Sequence, residues 1–246
     1  MLMAAHTHRA CPCVAARYFD TGKVATVTAH ENLSLTKSYL QSSSINLSDK
    51  NLGPSPILML GAVLSTPSSA AVTSVDLSEN DISGSTHTDK GFPDDKVTFD
   101  TDLSGFELLC KALSSAPITT IKMSDCDFGP KAISTLSTQV TWSTAAVESV
   151  DISGNEQMGA EAGAMLAKVM PDSNIKSFKF GKSAEISTEK CEATALDFSS
   201  QNFGPGEVIV ISWWLSTPAT AAVTSVDLSG NSLTGGNITL FCRTWG

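Results

Sequence analysis

The residues best suited to chemistry lie close together near the N-terminus. His6, His8, Cys11 and Cys13 offer the imidazole nitrogens and thiolate sulfurs that Zn²⁺ prefers. Their spacing matches neither a zinc finger nor a zinc ribbon, and the segment around them has no pattern typical of a fold that could hold an ion. The sequence therefore predicts no metal site and no other cofactor.

The other nucleophiles and bases do not form a catalytic pattern. Nucleophilic catalysis needs a nucleophile, a base and an orienting group that come together in the fold. The chain has four histidines, and none of them, including His30 and His87, lies in the repeated segments described below. The sequence contains neither a P-loop nor a GxGxxG pattern for binding a nucleotide. We therefore expect a protein that is not an enzyme.

The six cysteines show no spacing typical of a disulfide framework. Cys110 shares an apolar helical face with Phe106, Leu109 and Leu113, which favours a structural role over redox chemistry. For Cys191 a redox role remains open. Free thiols are typical of reducing compartments, so we expect a cytoplasmic protein.

Composition and charge limit the partners that this protein can bind. Hydrophobic residues make up 41% of the chain and charged residues 17%, which is typical of a folded protein. The net charge of −9 argues against nucleic acid and against an anionic membrane surface. Residues 1–40 are expected to form a disordered or irregular leader. Because Arg9 and Arg17 precede the first acidic residue, Asp20, an organelle transit peptide also remains open.

The elements that position any functional residue come from an internal repeat. Residues 64–84 and 215–235 are nearly identical. Both contain VTSVDLS, with apolar residues at relative positions one, four and six, followed by asparagine at position nine. Side chains alternate along a strand, so Val75 and Leu77 point inward and Asp76 points outward.

The ninth position of the pattern, called the asparagine slot below, recurs along the chain. An asparagine amide there can satisfy backbone groups in the turn after the strand. Cysteine is a sufficiently polar substitute, whereas lysine and glutamine are expected to weaken the ladder locally. The slot is occupied by Lys50, Asn80, Cys126, Asn155, Ser183, Gln201 and Asn231.

The repeated LxxLxLxxN/C pattern resembles the leucine-rich-repeat signature. The segments that follow it, such as GPKAISTLSTQV, have the apolar spacing of one-sided helices. Repeats of about 30 residues with helices on the outside are similar to the ribonuclease-inhibitor-like class. The resemblance covers residues 41–246. It implies an α/β solenoid, a horseshoe of about seven repeats with a parallel concave sheet and convex helices.

Two longer steps interrupt the repeat. A polar stretch predicts a loop insertion near residues 85–102, with an extra strand at residues 97–99. Near residues 183–193 there is no room for a helix, which predicts a tight, irregular return. After the last signature neither a full helix nor a polar cap follows. We therefore expect an incomplete C-terminal cap, with self-association through that end or a longer native protein.

The outward strand positions are the best candidate site. Parallel neighbours lie about 4.8 Å apart across a sheet. Lys122 is therefore expected between Asp76 and Asp151, and Lys179 between Asp151 and the next outward aspartate. An alternating charge ladder of this kind could be present only because each pair of opposite charges stabilises the sheet, without any role in binding. One outward residue per repeat gives Asn46, Asp76, Lys122, Asp151, Lys179, Asp197 and Asp227.

Asp197 and Asp227 break the alternation, because they are expected side by side without an intervening cation. Like charges in neighbouring positions destabilise a sheet. We therefore interpret this acidic end as an acceptor for a basic group on a partner. The candidate partner-binding residues are Asp76, Ser78, Lys122, Ser124, Asp151, Ser153, Asp197, Ser199, Asp227 and Ser229.

The resemblance to leucine-rich repeats implies a protein–protein interaction module that binds its partner on the concave face. Two alternatives remain open at this stage. The first is a regulator or activator of an enzyme such as a small GTPase, which some ribonuclease-inhibitor-like repeats stimulate. The second is a fragment of a larger, receptor-like sensor.

Overall fold

The computed structural model describes residues 26–30, 33–88, 96–155 and 158–233, in which strands and helices alternate. The five α-helices of these residues are α1 (Pro54–Leu64), α2 (Ser104–Leu113), α3 (Pro130–Gln139), α4 (Ala160–Val169) and α5 (Pro205–Leu215). The strands are β1 (Thr26–His30), β2 (Leu33–Thr36), β3 (Ser44–Asn46), β4 (Ser74–Asp76), β5 (Thr86–His87), β6 (Val97–Thr98), β7 (Thr120–Lys122), β8 (Ser149–Asp151), β9 (Ser177–Phe180), β10 (Ala184–Ser187), β11 (Ala195–Asp197) and β12 (Ser225–Asp227).

Three helices begin at a Gly-Pro pair. Helices α1, α3 and α5 start at Pro54, Pro130 and Pro205, and the preceding glycine is the N-cap in each case. Proline suits the first helical position because its φ is already close to the helical value and no backbone donor is needed there. The sequence thus sets where these helices start.

A six-stranded sheet dominates the strand layer, in the order β10-β9-β8-β7-β4-β3. Strands β3, β4, β7, β8 and β9 run parallel. The register places Val75 beside Ile121, and Ile121 beside Val150, as the repeat pattern predicts. The result is a mixed α/β architecture with a predominantly parallel sheet, which is compatible with an α/β repeat fold.

The core lies between the sheet and a layer of sequentially packed helices. Val75, Ile121 and Val150 are fully buried, at 0% exposure. Each helix from α1 to α4 packs on the next helix in the chain. Helices α4 and α5 approach closely through glycines, because a Cβ on Gly163 would stand 2.3 Å from the carbonyl oxygen of Gly206. The repeats therefore stack through an uninterrupted apolar interior.

The asparagine slot bonds neighbouring repeats to each other. Asn80 is buried, and its Oδ1 accepts hydrogen bonds from the backbone N–H groups of Lys50 (3.1 Å) and Leu52 (2.9 Å). Its Nδ2 donates to the carbonyl oxygens of Leu47 (2.8 Å) and Leu77 (2.9 Å). One amide thus satisfies backbone groups of two successive turns, as the sequence predicts.

The slot residues of the next two repeats, Cys126 and Asn155, keep part of this bonding. Asn155 Oδ1 accepts from the backbone N–H of Cys126 at 2.8 Å, and the thiol of Cys126 contacts the carbonyl oxygen of Leu77 at 3.3 Å. Gln201, which the sequence predicts to weaken the ladder, keeps one bond of this kind. Its Oε1 accepts from the backbone N–H of Ser183 at 3.1 Å, whereas Asn80 Oδ1 accepts from two backbone N–H groups.

The first insertion contains a short hairpin rather than a plain loop. Strands β5 and β6 pair antiparallel within residues 85–102, which confirms an extra strand at Val97–Thr98. The hairpin lies outside the main sheet, because β4 pairs directly with β7. The insertion thus leaves the repeat register intact.

The second break interrupts the sheet. Residues 183–193 are not only an irregular return, because β10 within them pairs antiparallel with β9. Strand β10 uses the edge hydrogen-bonding groups of β9, so β11 cannot join there. Strands β11 and β12 instead form a separate parallel pair. The apolar interior continues across the gap, where the rings of Phe180 and Phe203 stack at 5.3 Å.

Part of the expected leader belongs to the fold. Strands β1 and β2 form an antiparallel hairpin, and Leu33, Leu35 and Leu40 are fully buried in the core. The expectation of an irregular segment is therefore wrong for residues 33–40, because these leucines cover the first repeat. Residues 1–25 and 234–246, on which the leader and C-terminal cap predictions largely fall, lie outside the described residues. No helix of the described chain is long and apolar enough to cross a membrane.

Candidate functional site

The outward residues of the six-stranded sheet form the expected charge ladder at its centre. Asp76, Lys122 and Asp151 are in register on β4, β7 and β8. The Nζ of Lys122 lies 3.9 Å from Oδ2 of Asp76, and the Lys122 side chain is half exposed. Exposed pairs at this distance contribute little to stability, about 0–1 kcal/mol. Here the structure confirms the predicted order of charges.

Lys179 does not connect the ladder to Asp197. It lies beside Asp151 on one side and beside Glu185 of β10 on the other. Its Nζ is 3.6 Å from Oε2 of Glu185. The predicted position of Lys179 between Asp151 and Asp197 is therefore wrong, because the antiparallel strand β10 takes the place of the next repeat strand.

Asp197 and Asp227 are neighbours on the separate pair β11–β12, as predicted. The register places Asp197 directly beside Asp227, and both residues are exposed. Among the described residues, neither carboxylate forms an ion pair with a cation. Both aspartates line a surface depression of about 410 Å³ together with Ala195, Leu196, Ser225 and Val226.

Each aspartate of this pair is fixed by the residue two positions later. The backbone N–H of Ser199 donates to Asp197 Oδ1 at 2.9 Å, and that of Ser229 donates to Asp227 Oδ1 at 2.8 Å. Hydrogen bonds from the Ser199 side chain and backbone hold the pKa of Asp197 below its usual range.

The same turn occurs in the six-stranded sheet, with one consequence for the candidate residues. Ser78 and Ser153 donate their backbone N–H groups to Asp76 and Asp151. Ser78 is only 8% exposed, and its Oγ accepts from the backbone N–H of Ser124 at 3.3 Å. Ser78, which was predicted to contact a partner, is therefore mainly a structural residue.

A second polar surface, not predicted from the sequence, lies at the carboxyl ends of the first strands of the repeat. This acidic cleft has a volume of about 420 Å³. Its acidic residues immediately precede or follow the asparagine slot, which is the sequence signal that identifies them. The cleft is lined by Asp49, Asn51, Glu79, Asn80, Asp81, Asp125, Asp127 and Gly154.

Backbone geometry explains which residues line the cleft. The residue before the slot has a left-handed φ, at +53° for Asp49, +61° for Glu79, +52° for Asp125 and +72° for Gly154. Aspartate tolerates this region better than most residues, and glycine enters it without strain. The turns therefore present carboxylates at equivalent positions of three repeats, from Asp49, Glu79 and Asp125, while Gly154 takes the same position in the next.

The thiols of the described core are not poised for reaction. Cys110 and Cys126 are buried free cysteines, whereas Cys191 is half-buried. Burial raises the pKa of Cys126 to about 12 and raises the pKa of Cys110 as well. These two thiols stay protonated near neutral pH, which agrees with the structural role predicted for Cys110.

Comparison with known proteins supports the repeat pattern. The family model of the Leucine Rich Repeat matches residues 222–244, which include β12 and Asn231. No curated protein matches the chain. The matched motif and the α/β architecture support a leucine-rich repeat protein. A motif of this class suggests a protein-interaction role in general.

Proposed function

We propose that this protein is a binding module, not an enzyme, and that it binds a basic segment of a partner protein on the outward face of its strands. The observation that supports this most directly is the register of Asp197 beside Asp227 on β11–β12. We also propose that the repeats belong to the ribonuclease-inhibitor-like class and that this strand face is concave.

The charge distribution along the face favours a basic group at its C-terminal end. In the six-stranded sheet, Lys122 and Lys179 each lie in register with a carboxylate, which offsets part of the negative charge. On β11–β12 two neighbouring carboxylates repel each other instead. A lysine or arginine from a partner removes this repulsion, and arginine can bind a carboxylate through two hydrogen bonds.

The depression beside the two aspartates supplies the apolar part of the contact. Leu196 and Val226 are half-buried and line it together with the exposed carboxylates. A long basic side chain can pack its methylene groups on such residues while its charged end reaches the carboxylates. Because the aspartates are exposed, we expect moderate affinity that weakens at high salt.

The compartment is part of the same proposal. In the described residues, Cys110, Cys126 and Cys191 are free thiols. The other three cysteines of the chain lie outside those residues. Free thiols are typical of reducing compartments, so we propose that the protein works in the cytoplasm.

A charge-matched capture experiment tests the proposal. The variant D197N/D227N removes two charges from the site, and the control E161Q/D172N removes two charges from exposed positions on and after α4. Partners captured from source cells by the wild-type chain and the control should be lost from D197N/D227N. The lost partners should also bind as isolated basic peptides, with affinity that falls as salt rises.

Thermal unfolding shows whether D197N/D227N remains folded. Removing the repulsion should leave its midpoint unchanged or slightly raised. Equal capture of all partners by both double variants would contradict binding at the aspartate pair. Loss of neutral or acidic partners alone would contradict recognition of a basic segment.

A further inference from the structure

Three potential metal ligands converge where the first insertion meets the repeat. Asp81 follows the asparagine slot after β4, His87 lies in β5, and Asp127 follows the slot after β7. One ligand atom from each residue lies within 4.8 Å of the others. His87 Nε2 and Asp127 Oδ2 are 2.9 Å apart, with side-chain exposures of 13% and 31%.

We propose that Asp81, His87 and Asp127 bind one divalent first-row transition-metal ion, with Zn²⁺ as the reference ion. Ligand atoms around a tetrahedral Zn²⁺ with bonds of about 2.0–2.1 Å lie roughly 3.3 Å apart. The His87–Asp127 pair at 2.9 Å is slightly closer than this, and all three ligand atoms lie within 4.8 Å of one another, so modest side-chain rotations bring them into range. Water completes the coordination.

The imidazole decides the class of ion. Mg²⁺ and Ca²⁺ prefer oxygen ligands only, and Mg²⁺ gives up its waters reluctantly. A nitrogen ligand combined with two carboxylates suits Zn²⁺, Co²⁺, Mn²⁺ and Ni²⁺. His87 therefore makes this site selective for transition metals, whereas the remaining part of the acidic cleft offers only oxygen ligands.

The acidic cleft favours entry of a cation. Asp81 and Asp127 line the cleft together with Asp49, Glu79 and Asp125, and none of its described lining residues is basic. Several carboxylates around one opening raise the local concentration of cations. Divalent ions that enter the cleft are thus attracted to its carboxylates, two of which, Asp81 and Asp127, belong to the proposed ligand set.

Binding changes one hydrogen bond at the site. Without metal, His87 Nε2–H donates to Asp127 Oδ2. With metal, the lone pair of Nε2 and an oxygen of Asp127 both point to the ion, and the ring proton lies on Nδ1. The ion then connects the β5–β6 hairpin to the turns after β4 and β7, which stabilises this joint.

Calorimetric titration with ZnCl₂ tests the proposal on a full-length background from which other candidate ligands are removed. This background carries H6A, H8A, C11S, C13S, C191S and C242S, because those side chains also suit zinc. We expect one Zn²⁺ per chain and a zinc-dependent rise in the unfolding temperature. Co²⁺ should give the absorption bands of a tetrahedral site in the visible range.

Single variants on this background locate the site. H87Q and D127N should each lower the Zn²⁺ affinity by more than roughly 100-fold. Removing a residue that only hydrogen-bonds to a metal ligand typically lowers the affinity by roughly 10–100-fold. Asparagine tolerates the left-handed φ of Asp127, at +50°, so D127N is expected to fold. D49N serves as the control, since Asp49 lines the cleft without belonging to the ligand set, and it should change the affinity little.

Two results would overturn the proposal. One is the absence of stoichiometric Zn²⁺ binding by the folded background protein. The other is an equal effect of D49N and H87Q, which would indicate diffuse attraction by the cleft instead of coordination. Circular dichroism without metal verifies that each variant is folded.

Discussion

Asn80 and Leu52 are joined across two turns by a hydrogen bond of 2.9 Å from the Leu52 backbone N–H to Asn80 Oδ1. The same amide also bonds to the backbone of Lys50, Leu47 and Leu77. A buried side chain with several backbone partners leaves several polar groups unsatisfied when it is removed. The slot therefore offers the most direct test of the repeat architecture.

Replacing Asn80 with alanine should lower the free energy of unfolding by about 3 kcal/mol, because several buried backbone groups lose their partner. Asn231 bonds to Phe203, Phe198 and Leu228 but is half-buried, so N231A should cost about 1 kcal/mol. Denaturant unfolding measures both values. Equal losses for the two variants would contradict a role for burial.

Asp100 should stabilise the start of α3 from within the first insertion. This buried carboxylate accepts hydrogen bonds of 3.0 Å from the backbone N–H groups of Gly129, Lys131 and Ala132. D100G removes the carboxylate, and glycine accepts the φ of +56° without strain. We therefore expect D100G to lower the free energy of unfolding by about 2 kcal/mol through loss of the helix cap. D100N should cost less, since it keeps one acceptor oxygen.

The exposed Asp102 is the matched control for Asp100. It accepts from the backbone N–H of Ser104 at 3.0 Å, near the solvent. D102N should therefore cost less than D100G in the same denaturant titration. If both changes cost equally little, Asp100 does not cap the helix.

Gly163 should be essential for the contact between α4 and α5. A Cβ at this position would stand 2.3 Å from the carbonyl oxygen of Gly206, so the helices must separate to accept alanine. We expect G163A to cost at least about 2 kcal/mol of unfolding free energy. At Gly53 an added Cβ would meet no atom within 4 Å, so G53A is the control and should cost much less.

Stability should fall as the pH rises above about 8.5, the ordinary pKa of a thiol. Burial raises the pKa of Cys126 to about 12, so the folded state keeps a proton that the unfolded state releases. The resulting stabilisation is complete below the unfolded pKa and is lost as the pH rises through the folded pKa. Burial raises the pKa of Cys110 in the same direction.

Unfolding midpoints at pH 7 and pH 10 measure this alkaline loss. The variant C110A/C126S should lose less stability between these pH values than the wild-type chain. C191S is the control, because Cys191 is half-buried. The same pH dependence in C110A/C126S and wild type would indicate that other groups cause the loss.

Local chemistry made several features predictable. The inward positions of the repeated strands, the slot amides and the insertion near residues 85–102 follow from spacing, because side chains alternate along strands and asparagine satisfies turn backbone groups. The neighbouring positions of Asp197 and Asp227 follow from the same register. The pattern could not reveal that Ser78 is buried, since that depends on the turn after β7.

The sequence by itself determined the repeating strand–turn–helix unit and the residues that face its core, since both depend on contacts within one repeat or between neighbours. Only the tertiary structure decided that β10 pairs with β9 and separates β11–β12 from the main sheet. It also decided that His87 meets Asp81 and Asp127. The His87–Asp127 contact joins segments 40 positions apart, and the β9–β10 pairing competes with the addition of another parallel strand at the same edge. The free energy of the whole packed arrangement selects both.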